Sequence, residues 1–72
     1  MNIGKSVTEA LYLKRKSQRW LAEQMGVSDA YISCLCLGQK MPSLQKLSHM
    51  AKVLGFKTSE LIELGETDEE QV

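Results

Sequence analysis

The sequence predicts an all-α fold, a compact five-helix bundle, from two observations. Apolar residues recur every three or four positions in successive segments, and Gly, Ser or Pro residues separate these segments. No segment alternates between apolar and polar residues as a half-buried strand does. A chain of 72 residues, 43% of them hydrophobic, forms one domain near the lower size limit for folding without disulfides or metal, and helices build such a small core economically.

Helix one is predicted from Ile3 to Lys16. One face of this segment collects its apolar groups: Ile3, Val7, Ala10, Leu11 and the stem of Lys14. Three cations, Lys14, Arg15 and Lys16, crowd its last turn. They complement the negative end of the helix dipole there, and contact with a phosphate is a second use that remains open.

Two short helices joined by a glycine turn follow, and the rest of the chain is organised around them. Helix two is predicted over Ser17–Met25 and helix three over Ser28–Leu37, each with its first serine as N-cap. Gly26 breaks the run between them, and Gly38 provides a left-handed residue after the second. The predicted inward residues are Leu21, Ala22 and Met25, then Ile32 and Leu35. The short connection leaves one face of helix three free, and that face is the candidate for function.

Two further helices complete the bundle. Helix four begins at Pro42 and Ser43 and ends at Gly55. Its apolar stripe consists of Leu44, Leu47, Met50, Ala51 and Leu54, and its polar face carries Gln45, Lys46, His49 and Lys52. A short helix five opens near Thr58 and uses Leu61, Ile62 and Leu64, with Phe56 in the corner before it.

The charges are divided along the chain. Residues 1–57 contain all nine Lys and Arg and three acidic residues, whereas residues 58–72 contain six acidic residues and no base. This asymmetry predicts a basic domain over 1–64 and an acidic, disordered tail over 65–72. The tail is either simply solvated or competes with phosphates for the basic surface.

A chained motif through four of the helices resembles a known family. It consists of Ser17-Gln18, Leu21-Ala22, Gly26-Val27-Ser28, Tyr31-Ile32-Ser33, Leu35, Gly38, Pro42-Ser43-Leu44, Ala51, Leu54-Gly55 and Leu61. Over roughly residues 7–62 the chain is similar to the phage Cro and repressor type of helix-turn-helix domain, often called Xre-like. The resemblance implies a lambda-repressor-like bundle whose third helix enters the major groove of double-stranded DNA as part of a homodimer.

The resemblance also implies a set of DNA contacts. The side chains expected at phosphates are Gln18, Arg19, Ser28, Tyr31, Gln39 and Lys40. Ser28 caps helix three in either case, and Tyr31 either packs against helix two or offers its hydroxyl to a phosphate. The side chains expected at base edges and in the groove are Asp29, Ala30, Ser33, Cys34 and Leu37.

The predicted groove face is poor in base-reading side chains. With Ile32 set inward at 100° per residue, Ala30, Cys34 and Leu37 lie farthest from the core. None is the Arg, Lys, Asn or Gln that pairs bidentately with a purine edge, so each base pair is expected to contribute modest discrimination. Trp20, on helix two, either packs on helix one or anchors a protein partner.

Several functions are disfavoured. Cys34 and Cys36 diverge by about 200° on a helix and His49 completes no ligand spacing, so we expect no metal and no cofactor. The sequence contains no nucleophile paired with a general base, so we expect neither an enzyme nor a small-molecule substrate. No apolar run reaches the roughly 20 residues of a membrane span and no signal segment is present, so we expect a cytoplasmic protein.

The partners expected are double-stranded DNA and a second copy of the chain. The dimer interface is predicted at Leu61, Ile62 and Leu64, which exceed what one short helix can bury. The alternative is a protein-interaction module, an antirepressor or accessory subunit, that uses the face formed by Ala30, Cys34 and Leu37 together with Trp20.

Overall fold

The computed structural model describes residues 2–66 and contains five helices in this region. They are α1 (Ile3–Lys14), α2 (Gln18–Met25), α3 (Asp29–Cys36), α4 (Leu44–Leu54) and α5 (Thr58–Glu66). The predicted all-α bundle is therefore confirmed, and the part of the chain that is described contains no strand. None of the described helices is long and apolar enough to cross a membrane.

The helices begin where short polar side chains can accept a hydrogen bond from the first turn. Ser17, Ser28 and Ser43 accept from the backbone N–H three residues later, at 3.0, 3.1 and 3.2 Å, and Asn2 does the same for α1 at 3.0 Å. These bonds satisfy donors that a helix start otherwise leaves unpaired. The N-caps predicted at Ser17 and Ser28 are thus confirmed.

Helix α1 ends two residues earlier than the sequence predicts. Arg15 adopts a left-handed conformation, with φ 55° and ψ 44°, and its backbone N–H donates to the Tyr12 carbonyl oxygen at 3.1 Å. The apolar spacing could not locate this end, because Arg15 and Lys16 are charged whether or not the helix includes them. The prediction that all three cations lie in the last helical turn was wrong, and only Lys14 does.

The core contains thirteen buried hydrophobic residues contributed by all five helices. They are Ile3, Val7, Ala10, Leu11, Leu21, Ala22, Ile32, Leu35, Leu47, Met50, Ala51, Leu54 and Leu61. Burial of this apolar surface is the main force that holds the bundle together. Leu21, Ile32, Leu35 and Leu61 have no exposed surface at all.

The first turn of α1 lies between the last turns of α3 and α5. A Cβ added to Gly4 would lie 2.6 Å from the Leu35 carbonyl oxygen of α3, and one added to Gly65 would overlap the Asn2 carbonyl oxygen. The hydroxyl of Ser6, which is fully buried, donates to the Asn2 carbonyl oxygen at 3.0 Å, and it lies 3.3 Å from the Ile62 carbonyl oxygen of α5. Helix α1 thereby holds the end of α3 through backbone contact.

Helix α5 runs past the domain boundary predicted at residue 64. It continues to Glu66, and Gly65 is buried because it packs against the first turn of α1. Residues 65 and 66 therefore belong to the folded bundle. The remainder of the predicted acidic tail, residues 67–72, lies outside the described residues.

The structure corrects one of the three dimer residues predicted on α5. Leu61 is completely buried inside the bundle, so it has no surface to offer a partner. Ile62 and Leu64 are half-buried and pack against the same core. Leu61 is buried because α1 and α4 both pack against α5, which gives this short helix more internal apolar contact than its sequence indicates. An interface at Ile62 and Leu64 stays a prediction.

Candidate nucleic-acid interface

Helices α2 and α3 form a helix-turn-helix. Gly26 ends α2 with φ 70°, a left-handed conformation that glycine adopts without steric cost, and the Val27 N–H donates to the Ala22 carbonyl oxygen at 3.0 Å. Two residues later Ser28 caps α3. The turn is therefore fixed by local hydrogen bonds, and α2 packs directly against α3.

Helix α3 presents one edge to solvent. Ile32 and Leu35 point into the core with no exposed surface, as predicted, whereas Asp29, Ala30 and Leu37 are exposed. Leu37, the C-cap of the helix, is 70% exposed. Three of the five residues predicted to reach the groove thus lie on an open edge.

The other two, Ser33 and Cys34, are only partly exposed. For Cys34 this corrects the prediction that it lies among the residues farthest from the core. After α3 the chain turns at Leu37 and Gly38, where Gly38 has φ 79°, and the Gln39 N–H donates to the Cys34 carbonyl oxygen at 2.9 Å.

The predicted phosphate contacts of α2 lie at its exposed start. Gln18 is the first residue of the helix and Arg19 the second, and both side chains are solvent-accessible. The Arg19 Nε lies 3.5 Å from the Glu23 carboxylate one turn later, with both side chains more than half exposed. An exposed pair of this kind contributes little stability, so a phosphate can replace Glu23 as the partner of Arg19.

A second basic group surrounds Tyr31. The ammonium groups of Lys40 and Lys46 lie 5.6 and 4.6 Å from the centroid of its ring, within the range of a cation–π interaction. Tyr31 is half-buried and packs against the core, which fixes the ring. The structure thus brings together two predicted phosphate contacts, Tyr31 and Lys40, while Gln39 lies exposed in the same connecting segment.

Lys46 was missed as a site residue by sequence reasoning. Its position on the polar face of α4 was clear from the apolar spacing, but the same spacing places Lys52 there too. What separates the two is the contact of Lys46 with Tyr31, fifteen positions earlier in the chain. The signal available in the sequence was that Lys46 lies in the first turn of α4, close to the loop from α3.

The cations at the end of α1 serve a different surface. The Lys14 ammonium lies 4.9 Å from the Phe56 ring centroid, in the corner between α4 and α5, and the Lys16 ammonium lies 5.0 Å from the Trp20 ring centroid. Trp20 is half-buried and packs against the core, which favours packing over a fully exposed protein anchor. Two of the three cations thus stack on aromatic rings of the bundle.

Exposed apolar side chains occur at two places. Leu37, Met41 and Leu44 are 66–72% exposed. Leu37 and Met41 lie in the connection from α3 to α4, and Leu44 is the first residue of α4. Tyr12 and Leu13 are exposed near the end of α1, beside a depression of about 480 Å³ that is lined by Leu11, Tyr12, Leu13, Arg15 and Lys16. All five lining residues come from a single stretch of chain, so the depression is a surface concavity around one helix end.

The described residues bring no three His, Cys, Asp or Glu side chains together as a metal site. Cys34 and Cys36 are free thiols, both half-buried on α3, and His49 is exposed on α4. None of these groups therefore contributes to a site that could be recognised between residues 2 and 66.

Comparison with known proteins supports what the geometry indicates. A helix-turn-helix family model matches residues 11–61, which include all of α2, α3 and α4 and the connections between them. No curated protein sequence matches the chain significantly. The matched region covers more than half of the 72 residues and contains the whole α2–α3 unit. The chain belongs to the Cro/repressor, or Xre-like, family of helix-turn-helix DNA-binding regulators.

Proposed function

We propose that this protein binds double-stranded DNA with sequence preference, as a homodimeric transcriptional repressor, by inserting α3 into the major groove. The observation that carries the proposal is the geometry of the α2–α3 unit. Its turn is fixed by Gly26 and Ser28, its inner face is anchored by Ile32 and Leu35, and its outer edge is open. Such a helix is held rigidly in the bundle and is free to enter a groove.

Phosphate contacts on both sides of α3 supply the affinity. Gln18 and Arg19 lie exposed at the start of α2, and Gln39 and Lys40 lie exposed after the end of α3. Contacts with the DNA backbone provide most non-specific affinity and fix the orientation of the protein on the duplex. The concentration of all nine Lys and Arg in residues 1–57 supports the same role, although the formal net charge of the chain is zero.

Base contacts come from the open edge of α3 and from the partly exposed Ser33 beside it. Ala30 and Leu37 present apolar surface that fits a thymine methyl group, and Ser33 can donate to or accept from either base. Asp29, in the first turn, can accept from a cytosine amino group. This edge has no Arg, Lys, Asn or Gln that could pair bidentately with a base, so the preference at each base pair is modest. A palindromic site read by two copies of the chain would double the total free-energy preference for that site.

The homodimer is the part of the proposal that depends on α5. Dimers of this family bind two half-sites about one helical turn apart. Since Leu61 is buried, an interface on α5 has to use the half-exposed Ile62 and Leu64. Sedimentation velocity over a wide concentration range, with and without duplex DNA, tests this directly. A monomer on a single half-site would refute it.

Selection of bound sites from a random duplex pool tests sequence-specific binding. A recovered palindrome with half-sites about ten base pairs apart is the expected result. Gln18→Ala should weaken binding to every duplex alike, whereas Ser33→Ala should alter the preference among selected sites. Lys52→Gln, on the far part of α4, is the matched control and should change neither. Absence of enrichment after repeated rounds would contradict the proposal.

A second candidate function follows from the exposed apolar group Leu37, Met41 and Leu44. These three large hydrophobic side chains are 66–72% exposed within eight positions of the chain, and exposed apolar patches often mark protein contacts. The protein would then act as an antirepressor or accessory subunit, with Ala30 and Cys34 in the same surface. Leu37→Ser distinguishes the two functions: it abolishes capture of a protein partner in one case and shifts base preference in the other.

A further inference from the structure

The Tyr31 ring holds two cations that come from different elements. Lys40 belongs to the connection after α3 and Lys46 to the first turn of α4, and their ammonium groups lie 5.6 and 4.6 Å from the same ring centroid. The distance between the two charges therefore cannot exceed the sum of these distances. Among residues 2–66, neither lysine forms an ion pair with a carboxylate.

Two cations held by one ring, at most about 10 Å apart and without a carboxylate, form a locally positive patch that attracts anions. A nucleic-acid backbone carries a row of phosphates, so it can contact both ammonium groups even where one small anion could not span them. The ring contributes the negative face of its quadrupole, which attracts each ammonium but does not neutralise it. Tyr31 can fix the positions of both lysines because its own side chain packs against the core.

The location of the group formed by Tyr31, Lys40 and Lys46 indicates which anion it binds. Tyr31 is the third residue of α3, one turn before Cys34, and Lys40 follows the other end of this helix. If α3 lies in the major groove, the group reaches the phosphate backbone along the edge of that groove. The inference thus rests on the proposed DNA binding.

We propose that Tyr31 is a positioning residue whose ring directs Lys40 and Lys46 to the same stretch of DNA backbone, and that Lys46 is an additional phosphate contact. The ring, and not the hydroxyl, performs this function. This differs from the role that the family resemblance implies for Tyr31, a hydroxyl donated to a phosphate. It also extends the DNA interface from the α2–α3 unit to the start of α4.

Two substitutions of Tyr31 separate the ring from the hydroxyl. Tyr31→Phe keeps the aromatic face, so duplex affinity should stay within about twofold of wild type. Tyr31→Leu keeps apolar bulk but removes the face, and should lower the affinity and reduce its salt dependence as both lysines lose their fixed positions. A large loss with Tyr31→Phe would overturn the ring mechanism in favour of the hydroxyl.

Lys46→Gln tests the additional contact without disturbing the core, because this side chain is exposed. Fluorescence anisotropy with a labelled duplex measures affinity as a function of salt. Loss of one phosphate contact should reduce the log–log slope by about 1 per protomer and the affinity by about eightfold per protomer at 0.1 M salt. Lys52→Gln removes the same charge from the same helix and should leave the slope unchanged. Equal slopes for Lys46→Gln and Lys52→Gln would overturn the proposal.

The design distinguishes failure of this inference from failure of the proposed function. Wild-type protein that binds no duplex at any salt concentration refutes both. Wild-type protein that binds duplex while Lys46→Gln matches Lys52→Gln refutes only the role of Lys46. A last measurement compares duplex DNA with inorganic phosphate at equal ionic strength. We expect the NMR resonances of the Lys46 side chain to shift with duplex DNA and not with millimolar inorganic phosphate. Saturation by inorganic phosphate alone would show a small-anion site instead of a backbone contact.

Discussion

Replacement of Gly4 by alanine tests how α1 holds α3. A Cβ at this position would lie 2.6 Å from the Leu35 carbonyl oxygen and 2.7 Å from the Cys36 carbonyl oxygen, well inside the 3.4 Å at which ordinary contact begins. Both oxygens belong to the backbone of α3, so no side-chain rotation relieves the overlap. Either α1 or the last turn of α3 has to move.

The expected magnitude follows from two opposing effects. Glycine to alanine within a helix normally stabilises a protein by about 0.8–1.0 kcal/mol, because alanine restricts the unfolded chain and favours the helix. Overpacking of a close contact costs about 1–3 kcal/mol. Since the overlap is with two backbone atoms, we expect the cost of overpacking to exceed the gain in helix propensity. The net loss in unfolding free energy should be about 1–2 kcal/mol. For a domain of this size, Tm should fall by about 4–8 °C for each kcal/mol.

Thermal and urea unfolding followed by circular dichroism measure this loss. Gly26→Ala is the matched control: its added methyl group meets nothing within 4 Å, but φ is 70°, so it loses stability through backbone strain alone. Amide chemical shifts should separate the two variants, with changes at residues 35–37 in Gly4→Ala and at the α2–α3 turn in Gly26→Ala. A rise in Tm for Gly4→Ala, with unchanged shifts at residues 35–37, would refute the reasoning.

Three further substitutions test other parts of the fold. Ser28→Ala removes the cap of α3 and should lower the unfolding free energy by about 1 kcal/mol. The control Ser59→Ala, at an exposed position of α5, should not lower it. Equal losses in the two variants would argue against a specific cap. Arg15→Gly should raise Tm because glycine adopts φ 55° without strain, and a fall would contradict this. Leu61→Ala should cost about 2–5 kcal/mol in urea unfolding; a change confined to dimer affinity would restore Leu61 as an interface residue.

The helix starts could be predicted because they depend on local chemistry. A serine just before a segment with helical apolar spacing marks a helix start, because its hydroxyl oxygen can accept from an otherwise unpaired N–H group of the first turn. The side chains of Ser17 and Ser28 each accept from the backbone N–H three positions later. The left-handed glycines at 26, 38 and 55 could also be read locally, since other residues pay a steric cost in that conformation.

The errors arose where distant segments decide the outcome. Leu61 looked like an excess apolar residue because the sequence does not reveal that α1 and α4 both cover α5. Cys34 looked fully outward because a projection of α3 alone does not show how the rest of the bundle surrounds a side chain, and in the bundle Cys34 is only partly exposed. The end of α1 at Lys14 depends on Arg15 in a conformation that its residue type disfavours.

In the candidate interface too, some features follow from local sequence and others depend on contacts between distant segments. The exposed positions of Gln18, Arg19, Ala30 and Leu37 follow from helix phase alone, once Ile32 is placed inward. The convergence of Lys40 and Lys46 on Tyr31 does not, because it depends on how α4 is placed after the connection from α3. Such contacts between elements carry the information that a single sequence lacks.

The salt dependence of duplex binding tests the central claim most directly. Three cationic side chains per protomer, Arg19, Lys40 and Lys46, are proposed at phosphates, which makes six in a dimer. The predicted slope of log affinity against log salt is therefore about −5, a loss of about 10³ in affinity between 50 and 200 mM salt. A slope near zero, or no binding at 50 mM salt to a duplex pool that contains every half-site, would contradict the assignment of α2 and α3 as a DNA-docking unit.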